Sequence, residues 1–355
     1  MRFTFRHPWP RCAALLGSAP VAKFLITALV AAVAAVSAAA AWAELPKPTL
    51  RPIFVLNSQD ADVSVIDPVT FKQVRRIPTG KEPHHLYLAP DEKTLIVANA
   101  TSNSLTFIDP VTAEVRRTVP NIVDPYHLRF SPDMRWFVTA ANRLNHVDLY
   151  RWQGAEAPEP LKLVARINAP QTPSHLFIDS QSTVVYVSLQ DSDEMLAIDL
   201  ATQKVRWKIK VGKMPADLHL TADDRTLLVA LTGDRFVEAY DVSGPQPRLV
   251  KRIETANGAH AFRARGDKRH VFVSNRAANT ISLIDMQTLA VVDNYPGPGG
   301  PDCMELLADG KTLLVSSRWA RKLSFIDLPS RTVVRQVDVG RSPHGVWTLD
   351  HAPRR

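Results

Sequence analysis

Cysteine is almost absent from this chain of 355 residues. The two cysteines are Cys12 and Cys303, and Cys12 lies in an N-terminal segment that we expect to be removed. A mature chain with one cysteine cannot form an intramolecular disulfide, so packing must hold the fold. Cys12 follows Arg11 rather than a small residue, which argues against a lipid-attachment site.

Several functional signatures are missing as well. The sequence contains no serine nucleophile motif, P-loop, dinucleotide-binding fingerprint or close-spaced set of metal ligands. The formal charge is +8, and residues 1–43 hold four basic and no acidic residues, which leaves 8 − 4 = +4 for the mature chain. Nucleic acid is not an expected partner, because no basic track interleaved with exposed aromatic residues can be assembled.

The first 43 residues have the pattern of a secretory signal. Basic residues precede the apolar run "FLITALVAAVAAVSAAAA", which ends in Ala41, Trp42 and Ala43, a small-x-small cleavage site. We predict cleavage after Ala43, a mature N-terminus at Glu44, a periplasmic or secreted protein, and no membrane association after cleavage. The alternative is an uncleaved anchor, since the run approaches the length that spans a bilayer.

A unit of about forty residues recurs along the rest of the chain. Clear copies include "LIVANATSNSLTFIDPVT" and "VFVSNRAANTISLIDMQT". Within a unit, β-branched and apolar residues form short runs bounded by turn residues, which indicates strands. Seven turn residues end the third run of each unit: Asp67, Asp109, Arg151, Asp199, Asp241, Asp285 and Asp327. The aspartates can accept hydrogen bonds from backbone N–H groups, so we assign them a structural role.

Four-stranded units repeated in this way build a β-propeller. The piece "VGRSPHGVWTLD" supplies a first strand with no blade after it, while residues 50–80 supply three later strands. We therefore predict an all-β fold, a seven-bladed propeller in one domain over residues 44–355, closed by the C-terminal strand. The predicted blades are 50–80 plus 341–350, 81–122, 123–169, 170–212, 213–257, 258–299 and 300–340.

The motifs "VG-x-x-P", "PDEKTLIVAN" and "SLTFIDPVT" together resemble the YVTN-repeat β-propeller family, which includes YncE-like secreted proteins. The resemblance covers residues 50–350. It implies a seven-bladed, exported, monomeric propeller. Members of this family include binding proteins without chemistry, haem-binding domains, and lyases or lactonases, so the resemblance does not identify an activity.

The residues that open the innermost strand of each unit are unusual for this family. The family pattern has glycine two residues after the proline, and this sequence keeps it only at Gly345. Aligned on the proline or its equivalent, the other units hold His85, His127, His175, Asp217, His260 and Cys303. The preceding place holds His84, Tyr126, Ser174, Ala216, Ala259, Asp302 and His344.

If the first strand of each blade lies nearest the axis, these residues form a ring at one mouth of the central channel. Neutral imidazole suits copper, iron or zinc. We predict a ligand site here, with His85, His127, His175 and His260 as candidate metal ligands. The alternative is that these side chains point between blades and bind only neighbouring blades. We interpret Cys303 as a small buried apolar residue rather than a ligand.

The loop after the second strand of each unit should open at the same mouth. This loop carries Arg143, Arg276, Arg318 and Arg321, with Trp319 beside them. Arginine binds carboxylate or phosphate groups in bidentate fashion, so a haem-like cofactor with an axial histidine would suit this mouth. The alternative is that these arginines are solvated surface residues.

The residues therefore favour an exported protein that binds a small molecule, a cofactor or a partner protein at the histidine-rich mouth. One alternative is a periplasmic metalloprotein or metalloenzyme that uses the histidine ring. Another is a protein-interaction scaffold. The sequence alone does not identify the ligand or the metal, nor whether a reaction is catalysed.

Overall fold

The computed structural model describes residues 51–354, so the predicted signal segment 1–43 lies outside the described residues. Over the described range the chain forms seven antiparallel sheets of four strands each, arranged as a ring. The predicted all-β, seven-bladed propeller is confirmed. Within that range, no helix is long and apolar enough to cross a membrane.

The strands, numbered in chain order, belong to successive blades. The first four blades hold β1 (Ile53–Asn57), β2 (Asp62–Ile66), β3 (Gln73–Pro78); β4 (Pro83–Leu88), β5 (Leu95–Asn99), β6 (Ser104–Ile108), β7 (Val115–Pro120); β8 (His127–Phe130), β9 (Trp136–Ala141), β10 (His146–Trp152), β11 (Leu161–Asn168); β12 (Pro173–Ile178), β13 (Val184–Leu189), β14 (Glu194–Asp199) and β15 (Lys204–Lys210). The remaining strands are β16 (Pro215–Leu220), β17 (Thr226–Leu231), β18 (Phe236–Asp241), β19 (Arg248–Glu254); β20 (Ala259–Ala264), β21 (His270–Asn275), β22 (Thr280–Asp285), β23 (Ala290–Pro296); β24 (Pro301–Leu306), β25 (Thr312–Ser317), β26 (Lys322–Asp327), β27 (Thr332–Asp338); and β28 (Pro343–Trp347). Two short 3₁₀ turns, Ala100–Ser102 and Gln190–Ser192, follow β5 and β13.

The last strand closes the ring. Strand β28 pairs with β1 in antiparallel register, with Val346 opposite Val55 and Trp347 opposite Phe54. The first blade therefore has the strand order β28-β1-β2-β3. This closure gives the innermost position of the first blade to a strand from the far end of the chain, which removes an open sheet edge.

The turn aspartates have the structural role that the sequence indicated. Asp67 Oδ1 accepts hydrogen bonds from the backbone N–H groups of Val69 and Thr70, at 2.7 and 3.1 Å. The carboxylates of Asp109, Asp199, Asp241, Asp285 and Asp327 accept equivalent bonds. The exception is Arg151, whose guanidinium lies 3.5 Å over the ring of Trp136.

The core of the protein lies between neighbouring blades. One cluster joins Val138 and Leu149 of the third blade to Leu176 and Val187 of the fourth, and all four side chains are fully buried. Central strands such as β1 and β5 are buried along their whole length, because blades cover both faces of each sheet. The outermost strands are largely exposed on their outer side.

The seven innermost strands surround the central channel and share one direction, because every blade has the same strand order. We call the end at which these strands begin the upper face and the end at which they finish the lower face. The innermost strands are β4, β8, β12, β16, β20, β24 and β28.

Candidate functional site

Two layers of side chains occupy the upper half of the channel. The upper layer contains one residue from each blade: His84, Tyr126, Ser174, Ala216, His260, Asp302 and His344. Each of them directly follows the first residue of its innermost strand, except Tyr126, which follows Pro125. The middle layer contains the residue that follows each upper-layer residue in the sequence: His85, His127, His175, Asp217, Ala261, Cys303 and Gly345.

The placement of His260 corrects the alignment made from sequence. Ala259 lies opposite Asn275, as Pro83 lies opposite Asn99, so Ala259 takes the place that proline occupies in other blades. His260 therefore belongs to the upper layer, and the expectation that it lies in register with His85 was wrong by one residue. The four predicted metal ligands do not share one layer.

The middle layer brings three histidines together. The ring centroids of His85 and His127 are 4.3 Å apart, those of His127 and His175 are 5.0 Å apart, and those of His85 and His175 are 5.1 Å apart. One ring nitrogen from each histidine lies within 4.8 Å of the others. We call these three residues the histidine trio.

The trio consists of neutral imidazoles with free ring nitrogens. Burial lowers the pKa of His175 and lowers the pKa values of His85 and His127 well below the usual range. Within residues 51–354, His85 Nε2, His127 Nδ1 and His175 Nε2 have no hydrogen-bond partner. His175 Nδ1 lies 2.9 Å from Ser174 Oγ, which fixes that ring. A buried polar atom without a partner calls for an explanation, and a bound ion is one that three neighbouring imidazoles share.

Two other middle-layer residues are already occupied. Asp217 accepts the backbone N–H of Leu218 and that of Phe262, one on each oxygen, both at 2.8 Å. The Cys303 sulfur lies 3.4 Å from His344 Nδ1, and burial raises the pKa of the thiol well above its usual value. A protonated, half-buried thiol agrees with the sequence interpretation of Cys303 as a packing residue.

The upper layer contains a buried ion cluster around Asp302. One oxygen of this fully buried carboxylate binds Arg276 at 2.8 Å, and the other binds Arg318 at 2.9 Å. Burial opposes ionisation, but Arg276, His344 and His260 hold the pKa of Asp302 well below its usual range. We call Asp302, Arg276 and Arg318 the ion cluster.

Two histidines face the ion cluster through a ring nitrogen. His260 Nε2 and His344 Nε2 lie 3.2 and 3.4 Å from Asp302 Oδ1, but neither makes a well-formed hydrogen bond. His344 Nδ1–H donates to the carbonyl of His84 at 2.8 Å. His260 Nδ1 lies 2.9 Å from the hydroxyl of Thr232. Burial is the main cause that lowers the pKa of His260 to about 3 and that of His344 well below its usual value.

Stacked rings fill the rest of the upper layer. The centroids of His84 and His344 are 3.6 Å apart, and those of His84 and Tyr126 are 3.9 Å apart. Burial raises the pKa of Tyr126 to about 12 and lowers that of His84 well below its usual range. These rings lie directly above the trio, because the centroids of His85 and His344 are 4.6 Å apart.

The predicted arginines do not form one set. Arg276 and Arg318 are held by Asp302, whereas Arg143 binds Glu82 at 2.8 Å and Asp124 at 2.6 Å. Trp319 is 58% exposed at the upper face. Arg321 has a positive backbone φ of 56° in the same loop. Three of the four arginines that were expected to bind a ligand above the histidines therefore form ion pairs with acidic residues of the protein itself.

A cavity of about 660 Å³ lies on the other side of the trio. It begins at the trio and extends to residues of the lower face, including Pro132, Met134 and Lys268. Among its lining residues is a third layer, two residues beyond the middle layer: Tyr87, Arg129, Phe177, His219, Arg263, Glu305 and Trp347. We call this the lower layer. Sequence analysis missed it, although the two-residue period of a strand places it on the same side as the middle layer.

Comparisons with known proteins agree with this fold. The chain matches the family described as YNCE-like beta-propeller over residues 13–354. It is 28% identical to the protein YncE of Salmonella typhi over 162 residues, which cover 44% of this chain and 45% of the relative. The chain thus aligns with less than half the length of this curated relative.

Two solved structures illustrate the likeness of fold. The periplasmic gluconolactonase PpgL of Pseudomonas aeruginosa superimposes with a TM-score of 0.71 at 17% identity, covering 84% of this chain and 98% of that protein. The dihydro-heme d1 dehydrogenase NirN in complex with DHE gives 0.64 at 17% identity, covering 86% and 77%. Identities this low support the fold alone. The family match spans nearly the whole sequence, and the chain belongs to the YncE-like β-propeller family.

Proposed function

We propose that this protein is an exported metal-binding protein whose metal centre is the histidine trio. The observation that carries the proposal is the convergence of one ring nitrogen from each of His85, His127 and His175 within 4.8 Å, in three histidines that each have a ring nitrogen without a hydrogen-bond partner in the described structure. Their lowered pKa values keep the imidazoles neutral at pH 7, the state that binds metal. Neutral imidazole favours copper, zinc or iron over magnesium or calcium.

The trio suits a metal better than the other two groups of donors do. His84, His85 and His344 place donor atoms within 4.8 Å of one another, but the rings of His84 and His344 stack with their centroids 3.6 Å apart and His344 Nδ1–H already donates to the His84 carbonyl. His260, Asp302 and His344 also place donor atoms within 4.8 Å of one another. However, each oxygen of Asp302 is held by a guanidinium, so a cation bound there would face two positive charges at close range. The trio, in contrast, contains no carboxylate that is held by guanidinium groups, and it borders the cavity.

A centre with three protein ligands leaves a coordination position for an external ligand. At the trio this position would face the cavity, whose lining includes all three histidines. We therefore propose that the metal ion and a small ligand share the site. NirN, which has a similar fold, was solved in complex with DHE, and this supports ligand binding by a propeller of this fold. At 17% identity the likeness supports nothing more specific.

The test is metal titration of the purified mature protein after removal of bound metal with a chelator. We expect one equivalent of Cu²⁺, Zn²⁺ or Co²⁺ per chain by elemental analysis after desalting, with a visible Co²⁺ spectrum typical of nitrogen ligands. His127→Gln and His175→Gln should each weaken binding by about 100-fold or more, because they remove a ligand outright.

Two control variants make the test specific to the trio. His270→Gln alters a partly exposed histidine that pairs with Asp267, and it should leave binding unchanged. His260→Gln removes a donor of the group that contains Asp302 and should also leave the stoichiometry at one. Failure of all three metals to bind the wild-type protein would overturn the proposal. Loss of metal with His260→Gln, but not with His127→Gln, would move the centre to the upper layer.

A further inference from the structure

The cavity below the trio has a largely apolar wall. The rings of Phe177 and Phe262 both lie near His219, with centroids 5.3 and 6.1 Å from that of its ring. Leu218, Met304 and other apolar side chains also line it. At about 660 Å³ the space lies within the range of pockets that hold small organic molecules. A metal ion alone would fill little of it.

The acidic residues of the cavity wall already have hydrogen-bond partners within the protein. Asp217 uses both oxygens on backbone N–H groups. Glu305 binds Arg263 through one oxygen at 2.6 Å and Arg354 through the other. Neither carboxylate therefore offers an oxygen without a partner to a cationic ligand.

Cations outnumber acids on the same wall. The lining includes Arg129, Arg263, Lys268 and Arg354 but only two acidic residues, Asp217 and Glu305. Arg129 lies 4.3 Å over the ring of Phe177, which holds its guanidinium against the wall just below the trio. Lys268 is exposed at the lower end and forms no ion pair with residues in the described part of the chain. The wall thus carries a net positive charge of 4 − 2 = +2 with neutral histidines.

A buried donor without an acceptor lies in the same wall. Trp347 is 1% exposed, and its Nε1–H has no hydrogen-bond partner among residues 51–354. An indole nitrogen can only donate, so its natural partner is an acceptor oxygen. Leaving such a donor unpaired in a protein interior costs free energy. This observation is independent of the charges.

We infer that the cavity binds a small organic anion, with an apolar or aromatic body and a carboxylate or phosphate group. Its body would lie against Phe177 and Phe262, and its anionic oxygens would accept hydrogen bonds from Arg129 and Trp347. The inference depends on the proposed function in one respect only, which is the metal ion at the end of the cavity formed by the trio. The guanidinium, the indole and the aromatic wall are present with or without metal.

The experiment uses probes of similar size and different charge on the wild-type protein. Benzoate, phenyl phosphate, benzyl alcohol and benzylamine are titrated calorimetrically into the chelator-treated protein and into the metal-loaded protein. We expect benzoate or phenyl phosphate to bind the chelator-treated protein at least about tenfold more tightly than benzyl alcohol, and benzylamine not to bind. Whichever of the two anions binds more tightly identifies the preferred anionic group.

Variants connect the preference to the site. Arg129→Gln should weaken anion binding by about tenfold, and Trp347→Phe should weaken it less, because a neutral donor contributes less than a charged one. Arg135→Gln is the matched control, since Arg135 is an exposed arginine next to Met134 of the cavity lining and, within residues 51–354, forms its ion pair with Asp133 at 3.8 Å. Melting curves of each variant verify folding.

The outcomes separate this inference from the proposed function. Equal binding of all probes, or preference for benzylamine, overturns the organic anion even if metal binds to the trio. Anion binding that depends on Arg129 in a protein that takes up no metal supports the anion and overturns only the metal centre. Anion binding that is equally weakened by Arg135→Gln would assign it to the surface and overturn the inference.

Discussion

The upper and middle layers of the channel use the same residue type in opposite ways. In the upper layer, His260 and His344 lie beside a carboxylate that binds two guanidiniums, and their Nδ1 atoms face a hydroxyl and a carbonyl. In the middle layer, each histidine of the trio has a ring nitrogen without a hydrogen-bond partner in the described structure, and each borders the cavity.

This contrast indicates where stability and binding are located. A fully paired buried ion is costly to disturb but offers little to a ligand. Partnerless neutral nitrogens beside a cavity contribute little to folding but are available to a metal. The two layers are one residue apart in the sequence of each blade. Residues with a structural role therefore directly precede residues that are available to a metal or ligand.

Acidification gives the largest expected effect. Burial lowers the pKa values of six channel histidines: His84, His85, His127, His175, His260 and His344. The unfolded chain, with histidine pKa values near 6.5, binds more protons than the native chain below that pH. Stability is therefore complete above pH 6.5 and falls as the pH decreases. Between pH 7.5 and 5.5 we expect a loss of about 1 kcal/mol in the free energy of unfolding for each of the five histidines other than His175, and a smaller loss for His175, whose pKa is lowered less.

The measurement is urea unfolding of the chelator-treated protein at a series of pH values. Replacing the trio with glutamine should remove about half of the pH dependence, since three of the six histidines remain. Complete removal would mean that the upper-layer histidines are already charged in the native protein. The upper-layer histidines would then be charged members of the cluster around Asp302, and not neutral side chains beside it.

Substitution of Asp302 gives the next largest effect. Asp302→Asn leaves two partly buried guanidiniums without a counter-ion, and we expect the free energy of unfolding to fall by about 3–5 kcal/mol. Metal affinity of the folded protein should change by less than about threefold, because the trio does not contact Asp302. Urea unfolding and metal titration of the same sample test both statements.

Asp338→Asn is the control for this substitution. Asp338 pairs with Lys322 at 2.6 Å but its side chain is 87% exposed, so the loss should stay below about 1 kcal/mol. Similar losses for the two variants would remove the contrast between a buried cluster and an ordinary surface pair.

The smallest expected effect belongs to Arg143. Its guanidinium is 40% exposed, and Asp124 also accepts the backbone N–H groups of residues 143 and 144. Arg143→Ala should therefore lower the free energy of unfolding by about 1 kcal/mol or less and leave both metal and benzoate binding unchanged. Calorimetry with either ligand measures this. A clear loss of benzoate binding would show that the upper face takes part in ligand recognition.

Much of the fold was predictable from sequence because the repeat is regular. The turn aspartates and the strand-length apolar runs identified the blades, and the unmatched last strand identified the closure. The register of one innermost strand was not predictable by the same means. Ala259 replaces the proline that marks the start of that strand in other blades, so the sequence offered no fixed point for His260.

The site was predictable only in outline. Its middle layer follows from strand order, but the partners of the side chains around it do not. Arg276 and Arg318 reach Asp302 from separate blades, and the sequence does not reveal that pairing. Arg129 and Trp347 were accessible to reasoning, because they follow His127 and Gly345 by two residues.

The strand that closes the ring also carries His344. Strand β28 is joined to β1 across almost the whole length of the chain, whereas every other sheet is built from neighbouring segments. The same strand places His344 against the carbonyl of His84 and beside Asp302. If this seam separates, the buried ion cluster loses a wall at the same moment. Amide hydrogen exchange in β28 and around Asp302 should therefore proceed as one cooperative opening.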